Sequence, residues 1–394
     1  MGCMKVLLVH NTYQQHGGED AAVKAETELL QRHREEVFLY TRHNSEIQQF
    51  SKAQKVGFIS QTVYSRRTSR EISDVVRRIK PDVAYIHNVY PLISPSAYHK
   101  LHALGVPMVQ VFHGFRPYCP QGFFYTQGRI CEACVDGNYL HAITRRCYKE
   151  SYALSGLYAL TLAVNRLGGM VQKISAFICL TEFTKVKVQA AGIPESKLFV
   201  RPNFIYAPAW ALDGNCRNDY VLFMGRLVPE KGCWTLVRAF ERMPHVRLKI
   251  LGTGPLEEPL RDYAREKGLH NIELLGFKSG RDKWDILRSC LCLVLPSEWY
   301  ETFGLSVLEA YSARKPVIAS RLGGLPYLVE EGKSGLLFEP GRSDELAEKI
   351  QFFLHNPDDA ARMGEYGRRL CETKYGPEQA YSSLMTIFSR VRAG

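Results

Sequence analysis

The sequence predicts two doubly wound α/β domains in series, and three observations support this fold class. The chain has 394 residues, more than one ordinary hydrophobic core accommodates. Short β-branched runs alternate with longer helical patterns from one end of the chain to the other. Several of these runs are apolar continuously rather than alternately, which is typical of parallel sheets covered by helices on both faces.

The predicted strands are short apolar runs, five in the first half of the chain and six in the second. They cover residues 5–9, 37–40, 83–87, 108–112 and 176–180, then 219–224, 246–251, 272–275, 292–295, 317–319 and 335–338. Patterns at residues 20–32, 236–243, 256–267 and 344–354 are long enough to be crossover helices between parallel strands. A stretch containing Pro and Ala at residues 201–214 is a plausible linker between the two domains.

Composition and charge exclude several classes of protein. Hydrophobic residues make up 45% and charged residues 23% of the chain, as in soluble globular proteins, and no uncharged apolar run is long enough to span a bilayer. The amino terminus lacks the features of a secretory signal, and scattered single cysteines fit a reducing compartment, so we expect a cytoplasmic protein.

The positive charge is concentrated in the first half of the chain. Residues 1–212 contain 25 Lys and Arg against 15 Asp and Glu, whereas residues 213–394 contain 26 against 25. The excess favours an anionic partner, for which a membrane surface and a phosphorylated or lipid-linked substrate are candidates; a solvated basic surface is the alternative. No nucleic-acid reader motif is present, so we expect no nucleic-acid partner.

The segment from Glu301 to Glu309 carries the strongest functional signal. Its sequence, Glu-Thr-Phe-Gly-Leu-Ser-Val-Leu-Glu, predicts a tight turn at Gly304 followed by the first turns of a helix. The free amides at such a helix start suit a diphosphate. Glu301 and Glu309 are placed to accept hydrogen bonds from hydroxyl groups on either side of it, which is the pattern of a nucleotide sugar.

Further residues at predicted strand ends in the second half fit the same ligand. Arg226 and Lys231 follow a strand and are predicted to clamp the diphosphate. Gly254 lies in a glycine turn after the next strand, suited to a base or phosphate. Phe277 follows another strand, where an aromatic ring either lies against a nucleobase or packs in the core.

The first half has its own candidates at strand ends. Gly17 and Gly18 follow the first strand, where they either approach a phosphate or form a plain turn and helix cap. His113 ends another strand, where a polar ring is unusual, and it is a candidate for contacting a donor sugar or shuttling a proton. His87 is a second candidate, for which a hydrogen-bonded core histidine is the alternative.

Four cysteines form a specific cluster in an aperiodic stretch at about residues 114–150. Cys119, Cys131, Cys134 and Cys147 have the spacing C-x11-C-x2-C-x12-C, which suits a tetrahedral thiolate site. Structural zinc is the prediction; iron–sulfur ligation, two disulfides and four unrelated thiols are the alternatives.

These motifs together resemble the retaining glycosyltransferases of family 4. The resemblance rests on Gly-Arg-Leu-Val-Pro-Glu-Lys-Gly at 225–232, Leu-Gly-Thr-Gly-Pro at 251–255, Leu-Leu-Gly-Phe at 274–277, the Glu-x7-Glu segment, and Gly-Gly-Leu-Pro at 323–326. It implies the GT-B architecture, in which two Rossmann-like domains face each other across a deep cleft. It also implies domains of residues 1–205 plus 377–394, with the Cys-rich insertion, and of residues 206–376.

The resemblance further implies roles for individual residues. Arg226 and Lys231 match the phosphate-binding pair, Glu309 the ribose ligand, Glu301 the ligand of donor-sugar hydroxyls, and the backbone of Phe303, Gly304 and Leu305 the sugar and phosphate contacts. Gly17 and Gly18 match the amino-terminal glycine loop, and His113 matches the donor-sugar histidine. Catalysis in this family needs no divalent metal, and the sequence has no Asp-x-Asp element.

The expected function is therefore transfer of a sugar from a UDP or GDP type donor to a glycan or lipid-linked acceptor, with retention of configuration. The cysteine insertion resembles that of some bacterial members that build surface polysaccharides, which suggests a bacterial glycan pathway. The basic first half suggests peripheral contact with an anionic membrane, at its inner face. A nucleotide-sugar epimerase, a glycan phosphorylase and a non-catalytic nucleotide-sugar-binding partner are the alternatives.

Overall fold

Two six-stranded parallel sheets form the centre of the structure, a computed structural model that describes residues 3–14, 17–208 and 219–393. The chain divides into one unit of Met1–Gln127, Cys131–Asn203 and Ala380–Gly394 and a second of Gly128–Ile130 and Phe204–Gln379. Each sheet lies in one unit, and helices flank it, which confirms the predicted fold class. Residues 209–214 of the expected linker lie outside the described residues.

The sheet of the first unit has the strand order β2-β1-β3-β4-β7-β8, and all its pairings are parallel. Its most central strands are buried along their length because helices cover both faces. The strands are β1 (Lys5–Thr12), β2 (Glu36–His43), β3 (Val83–Asn88), β4 (Met108–Phe112), β7 (Ala176–Cys179) and β8 (Leu198–Val200), and the two-stranded ribbon of the cysteine insertion is β5 (Tyr125–Thr126) with β6 (Arg129–Ile130).

Eight helices precede the second unit in the described chain. They are α1 (Gly18–Arg32), α2 (Lys52–Val63), α3 (Arg66–Ile79), α4 (Ser96–Ala103), α5 (Leu140–Thr144), α6 (Tyr152–Leu167), α7 (Met170–Lys173) and α8 (Glu182–Ala190). Short 3-10 turns occupy Asn44–Gln49 and Glu195–Lys197. The Cys-rich stretch thus contains the ribbon β5–β6 and the short α5, neither of which its aperiodic sequence predicts.

The sheet of the second unit has the strand order β11-β10-β9-β12-β13-β14, again with parallel pairings. Its strands are β9 (Tyr220–Met224), β10 (Leu248–Leu251), β11 (Ile272–Leu274), β12 (Cys290–Leu295), β13 (Val317–Ser320) and β14 (Gly335–Phe338). Its helices are α9 (Cys233–Glu241), α10 (Glu257–Glu266), α11 (Gly280–Arg288), α12 (Leu305–Ser312), α13 (Leu325–Leu328), α14 (Ser343–His355) and α15 (Pro357–Thr373), with a 3-10 turn at Pro229–Lys231. Phe223, Phe240, Phe338 and Phe353 lie in its core.

The last helix, α16 (Pro377–Ala393), packs on the first unit from Ala380 onward. Its Leu384 and Phe388 are fully buried, and Phe388 meets Tyr85 of β3 edge to face with ring centroids 5.3 Å apart. Apolar burial at i and i+4 explains why one face of this helix is held against the unit. In the described part of the chain, no helix is long and apolar enough to cross a membrane.

Candidate functional site

The strand order of the second unit reverses between β9 and β12, which are neighbours in the sheet. The chain runs outward from β9 to β10 on one side and from β12 to β13 on the other, so the loops at their carboxyl ends diverge and leave a crevice. Open α/β sheets bind their ligands at such a switch point. The loop after β9 carries Arg226 and Lys231, and the loop after β12 carries Glu301 and Gly304.

Close approach of these two loops depends on Gly232. Its φ is +69°, and a Cβ at this position would lie 1.8 Å from the carbonyl oxygen of Pro296. No side chain fits there, so glycine is required for the loops to pack. Lys231, the residue before it, therefore reaches the loop after β12.

Glu301 is the centre of the polar contacts at this edge. Its Oε1 accepts hydrogen bonds from Lys231 Nζ, from Ser297 Oγ at 2.9 Å and from Trp299 Nε1 at 2.9 Å. Burial opposes ionisation, but the Lys231 ammonium and these hydrogen bonds hold the pKa of the Glu301 carboxyl below its usual value. Glu301 is thus an ionised acceptor. The structure pairs Glu301 directly with Lys231. The sequence had indicated that these two residues bind different parts of one ligand.

The helix α12 begins at Leu305, directly after Gly304, whose φ of +95° makes the turn. The amide of Val307 donates to the Gly304 carbonyl at 3.0 Å, whereas the amides of Leu305 and Ser306 precede the first intrahelical acceptor and are available to an anion. Phe303 is 2% exposed and packs edge to face near Tyr375, with ring centroids 6.2 Å apart. Its side chain therefore belongs to the core, and its backbone is the part that faces the turn.

Glu309 lies on α12, one turn below Leu305, and forms an ion pair with Lys283 of α11 at 2.8 Å. Both side chains are partly exposed, with fractions of 21% and 25%. No local sequence pattern links Lys283 to the Glu-x7-Glu segment, so its contact with Glu309 depends on the packing of α11 beside α12. A ribose hydroxyl at Glu309 would have to share the carboxylate with this lysine.

The remaining candidates of the second unit differ in their surroundings. Arg226 is exposed and has no side-chain hydrogen bond or ion pair with the residues that the structure describes. A Cβ on Gly254 would lie 2.4 Å from the carbonyl oxygen of Leu227, so loop packing alone requires this glycine. Phe277 is 69% exposed, which excludes the core position considered for it and leaves its ring accessible.

In the first unit, Gly17 and Gly18 form the start of α1. The Gly17 amide donates to Asp20 Oδ2 at 3.1 Å, and His10 Nε2 lies 2.8 Å from Asp20 Oδ1. The plain helix cap considered for this loop is therefore present. Among the described residues, a Cβ on Gly17 would meet nothing within 4 Å, so no described side chain covers the loop at this point.

His113 and His87 lie side by side at the ends of β4 and β3. His87 Nδ1 is 2.8 Å from His113 Nε2, and their rings are stacked with centroids 5.1 Å apart. Burial, together with the nearby His10, lowers the pKa of His113 to about 3, and burial lowers that of His87 as well. Both rings are neutral at physiological pH, which suits hydrogen bonding better than proton uptake.

Three side chains that the sequence analysis did not select also lie near His113. Tyr13, Glu19 and Arg116 line the same cavity as His113 at the carboxyl end of the first sheet. Burial raises the pKa of the Glu19 carboxyl to about 7, although His10 and a hydrogen bond with Tyr13 act in the opposite direction. The Gly-Gly-Glu sequence offers a signal for Glu19, whereas Arg116 stands in an aperiodic stretch that offers none.

The four cysteines of the insertion are free thiols in the structure. Burial, and then electrostatic interaction with Cys119, Cys147 and Cys131, raises the pKa of Cys134 to about 12, so the four thiols are near one another. Within the described ranges, however, no group of three or more His, Cys, Asp or Glu side chains is placed to hold a metal ion. Arg145 Nη1 donates to Cys131 Sγ at 2.7 Å.

Two family models match the chain, one in each half. Residues 17–207 match the model described as Glycosyltransferase Family 4, and residues 213–370 match Glycosyl transferases group 1. An uncharacterized glycosyltransferase of Methanocaldococcus jannaschii is 32% identical over 173 residues, covering 44% of this chain and 48% of that protein. The sulfoquinovosyl transferase SQD2 of Arabidopsis thaliana is 24% identical over 359 residues, covering 86% of this chain and 64% of that protein. The match thus spans about half of the length of the first relative and less than two thirds of the length of the second.

Among solved structures, the Anabaena protein HepE in complex with UDP is similar in fold. The TM-score is 0.67 at 18% sequence identity, and the similarity covers 98% of this chain and 100% of that chain. At this level of identity, the similarity concerns the fold and not the ligand.

Proposed function

Because this chain is a GT-B protein similar to the family 4 glycosyltransferases along both of its halves, we propose that it transfers a sugar from a nucleotide diphosphate donor to an acceptor hydroxyl. The observation that carries the proposal is the arrangement at the switch point of the second sheet. There, Lys231, the exposed Arg226 and the start of α12 supply cationic and amide donors beside the ionised Glu301. A diphosphate needs cationic and amide donors, and sugar hydroxyls need an ionised acceptor such as Glu301.

Transfer with retention of configuration is part of the proposal. The bond between the anomeric carbon and the diphosphate oxygen breaks, and its electron pair leaves with the diphosphate. The acceptor hydroxyl oxygen forms the new bond on the same face of the sugar, and its proton passes to the departing diphosphate. Arg226, Lys231 and the amides of α12 stabilise the growing negative charge, which is where a preorganised electrostatic site is most effective.

The donor is proposed to be a UDP or GDP sugar. Glu309 is the proposed ribose ligand, since a carboxylate accepts hydrogen bonds from a pair of hydroxyl groups. In the free protein its carboxylate forms an ion pair with Lys283. The accessible ring of Phe277 is the proposed contact for the base, and the backbone at Gly304 and Leu305 is the proposed contact for sugar and phosphate.

The first unit is proposed to supply His113 and the glycine loop at Gly17 and Gly18. As a neutral ring held by His87, His113 would donate or accept one hydrogen bond with a sugar hydroxyl. The open space around Gly17 allows a ligand to approach the backbone. The acceptor is proposed to be a glycan or a lipid-linked saccharide.

Peripheral contact with an anionic membrane is a further part of the proposal. Leu160, Val164 and Leu167 are 53%, 44% and 89% exposed on α6. Their spacing of four and three residues places them in one apolar stripe. The stripe lies in the half of the chain that carries the basic excess. Apolar side chains and positive charge together are what an anionic interface selects.

Structural zinc at the four insertion cysteines is also proposed. Their spacing supports it, as do the electrostatic interactions among their thiols, which raise the pKa values of Cys134 and Cys147 after burial. Burial raises the pKa of the Cys119 thiol, while the nearby backbone amides from Gln121 to Phe124 act in the opposite direction, and such amides also stabilise a metal-bound thiolate. Binding would require the thiols to deprotonate and move into tetrahedral positions. Elemental analysis of protein purified without chelator should find one zinc per chain; metal-free protein of unchanged stability contradicts this part.

The test of the main proposal is transfer activity of Arg226→Ala, with Arg247→Ala as the matched control. Arg226 has no described side-chain partner, so its removal should leave the fold intact and lower turnover at least about a hundredfold. Arg247 is an exposed arginine before β10, and its loss should change turnover less than about twofold. Incubation with donor alone identifies an epimerase. Equal turnover in the two variants would contradict the phosphate role of Arg226.

Lys231→Ala should abolish turnover but is a less clean variant. It leaves the buried Glu301 without its cationic partner, which costs about 3–5 kcal/mol of stability.

Glu309→Gln should weaken UDP binding about tenfold in calorimetry, because a charged acceptor becomes neutral. Unchanged UDP affinity would remove Glu309 from the ribose site.

A further inference from the structure

A small cavity of the first unit contains unpaired polar groups that the proposed chemistry does not use. It lies at the carboxyl ends of β1, β3 and β4 and has a volume of about 40 Å³. Tyr13, Glu19, Tyr90 and Arg116 are among its lining residues. Since a water molecule needs about 10–15 Å³ by this measure, the cavity holds roughly three waters. That is space for one small group, not for a sugar ring.

Three residues that line this cavity each carry one buried polar atom that has no hydrogen-bond partner among the described residues. These atoms are Arg116 Nη1, Tyr90 Oη and His87 Nε2. Leaving a buried polar group unpaired is unfavourable, and more so for a charged group. Native proteins keep such groups rare, so three around one cavity mark a polar site that takes up water or a ligand.

The charge of Arg116 is not neutralised by its described neighbours. Its Cζ lies 5.8 Å from the ring centroid of Tyr90, 5.9 Å from that of Tyr148 and 5.5 Å from that of Tyr158. No described carboxylate comes within salt-bridge distance of it. Aromatic faces stabilise a cation without removing its capacity to donate hydrogen bonds. The guanidinium is therefore held in place and remains open to an anion.

The Glu19 carboxyl, another titratable group on the wall, provides that anion only where it is ionised. Burial raises its pKa to about 7, although His10, Tyr13 and Arg116 act in the opposite direction. The guanidinium also lies close to the backbone of Gly122, where an added Cβ would come within 3.1 Å of Arg116 Nη2. An entering oxyanion would thus find a cation that needs no rearrangement.

We propose that Arg116 and Tyr90 bind the phosphate group of a phosphorylated acceptor. The inference rests on the proposed function, because it identifies the acceptor of the same transfer reaction. Two Arg116 donors and the Tyr90 hydroxyl match the several terminal oxygens of a phosphate, whereas a carboxylate presents two oxygens in one plane. The cavity admits the phosphate, and the rest of the acceptor remains outside it.

The probe for this site is glucose 1-phosphate, titrated calorimetrically into protein saturated with UDP. Saturation fills the diphosphate site of the second unit, so the heat reports a separate site. Galacturonate tests the carboxylate alternative, and methyl glucoside tests a neutral sugar. Dodecyl phosphate, a phosphate ester without a sugar, tests whether a lipid phosphate is sufficient.

Two variants and one control identify the residues. Arg116→Lys keeps the cation but loses the fork, and it should weaken glucose 1-phosphate binding at least about tenfold. Tyr90→Phe removes a hydroxyl that is unpaired in the free protein, and it should weaken binding about threefold while leaving the melting temperature unchanged or higher. Arg146→Gln is the control, because Arg146 is an exposed arginine whose Cζ lies 5.5 Å from the ring centroid of Tyr152. The affinity of this variant for glucose 1-phosphate should equal that of the wild type.

The outcomes separate this inference from the proposed function. Loss of phosphate affinity in Tyr90→Phe and Arg116→Lys with unchanged UDP binding supports the site, whether dodecyl phosphate or glucose 1-phosphate binds better. If Arg116→Lys does not fold, Tyr90→Phe decides alone. Absent heat from both phosphate esters, equal binding of galacturonate, or wild-type affinity in Tyr90→Phe overturns the inference. Failure to bind UDP would instead count against the proposed function.

Discussion

Lys231 and Glu301 illustrate how one ion pair at the residue scale prepares a site for charge. Glu301 is buried, and its Oε1 collects three donors, of which Lys231 is the cationic one. Lys231 has three N–H groups, so it can keep Glu301 and still donate to a phosphate. The pair therefore fixes the position of the ammonium before a ligand arrives, which reduces the cost of binding.

Glu19 leads to a prediction of pH dependence. Its folded-state pKa is about 7 against an ordinary 4.5, so between these values the folded state binds more protons than the unfolded state. Stability therefore falls as pH rises through this window, by about 3 kcal/mol in total. Glu19→Gln should remove this loss, and its advantage over the wild type in urea unfolding should grow from pH 5 to pH 8.

The matched control is Glu28→Gln, at an exposed position on the same helix. Its stability should follow the wild-type profile at every pH. If Glu19→Gln and the wild type give parallel profiles, the raised pKa of Glu19 is wrong.

At the element scale, one buried ion pair joins α1, the end of β8 and α16. Arg201 is 1% exposed, and its Nη1 donates to Glu26 Oε1 at 2.5 Å while its Nε donates to the Ala380 carbonyl at 3.0 Å. Tyr381, the next residue of α16, stacks on His33 with ring centroids 3.6 Å apart. The last helix is thus held to the first unit by polar contacts as well as by its apolar face.

Removing one partner of this ion pair should lower the free energy of unfolding more than replacing both partners with apolar residues. Arg201→Met leaves the Glu26 carboxylate buried and uncompensated, so we expect a loss of about 3–5 kcal/mol. The double variant Glu26→Leu with Arg201→Met should recover most of that loss, because no charge remains buried. Thermal unfolding followed by circular dichroism measures both, and additive losses would contradict the coupling.

At the scale of the whole molecule, charge and apolar exposure coincide in the first half of the chain. The net positive charge lies there almost entirely, and the stripe of Leu160, Val164 and Leu167 on α6 belongs to the same half. Neither feature contributes to the sheet core. Their coincidence is the physical basis of the proposed membrane contact.

Binding to vesicles that contain phosphatidylglycerol should therefore depend on both the positive charge and the apolar stripe on α6. It should fall as salt rises from about 0.05 M to about 0.5 M, because screening shortens the range of the positive field. Leu167→Gln should weaken it, whereas Leu354→Gln, at an exposed leucine of the second unit, should not. Salt-insensitive absence of vesicle binding would contradict the membrane part of the proposal.

Much of the fold could be predicted from the sequence because each strand is a local apolar run. Residues 108–112 and 335–338 were predicted with the observed bounds. Elsewhere the bounds shift by up to three residues, as at β2, which ends at His43, and β8 (Leu198–Val200) is not among the predicted strands. The ribbon β5–β6 and the helix α5 were missed, because the stretch between Cys119 and Cys147 has no periodicity. Its backbone is instead arranged by packing around aromatic side chains such as Phe124.

The sequence by itself determined the two parallel sheets, the turn at Gly304 and the glycines at strand ends, since these depend on local patterns and backbone sterics. Only the tertiary structure decided which side chains meet: Lys231 with Glu301, Glu309 with Lys283, and Arg116 with three tyrosines. Each of these contacts joins residues far apart in the chain. They depend on how loops and helices from different strands pack at one edge of a sheet, which no local pattern encodes.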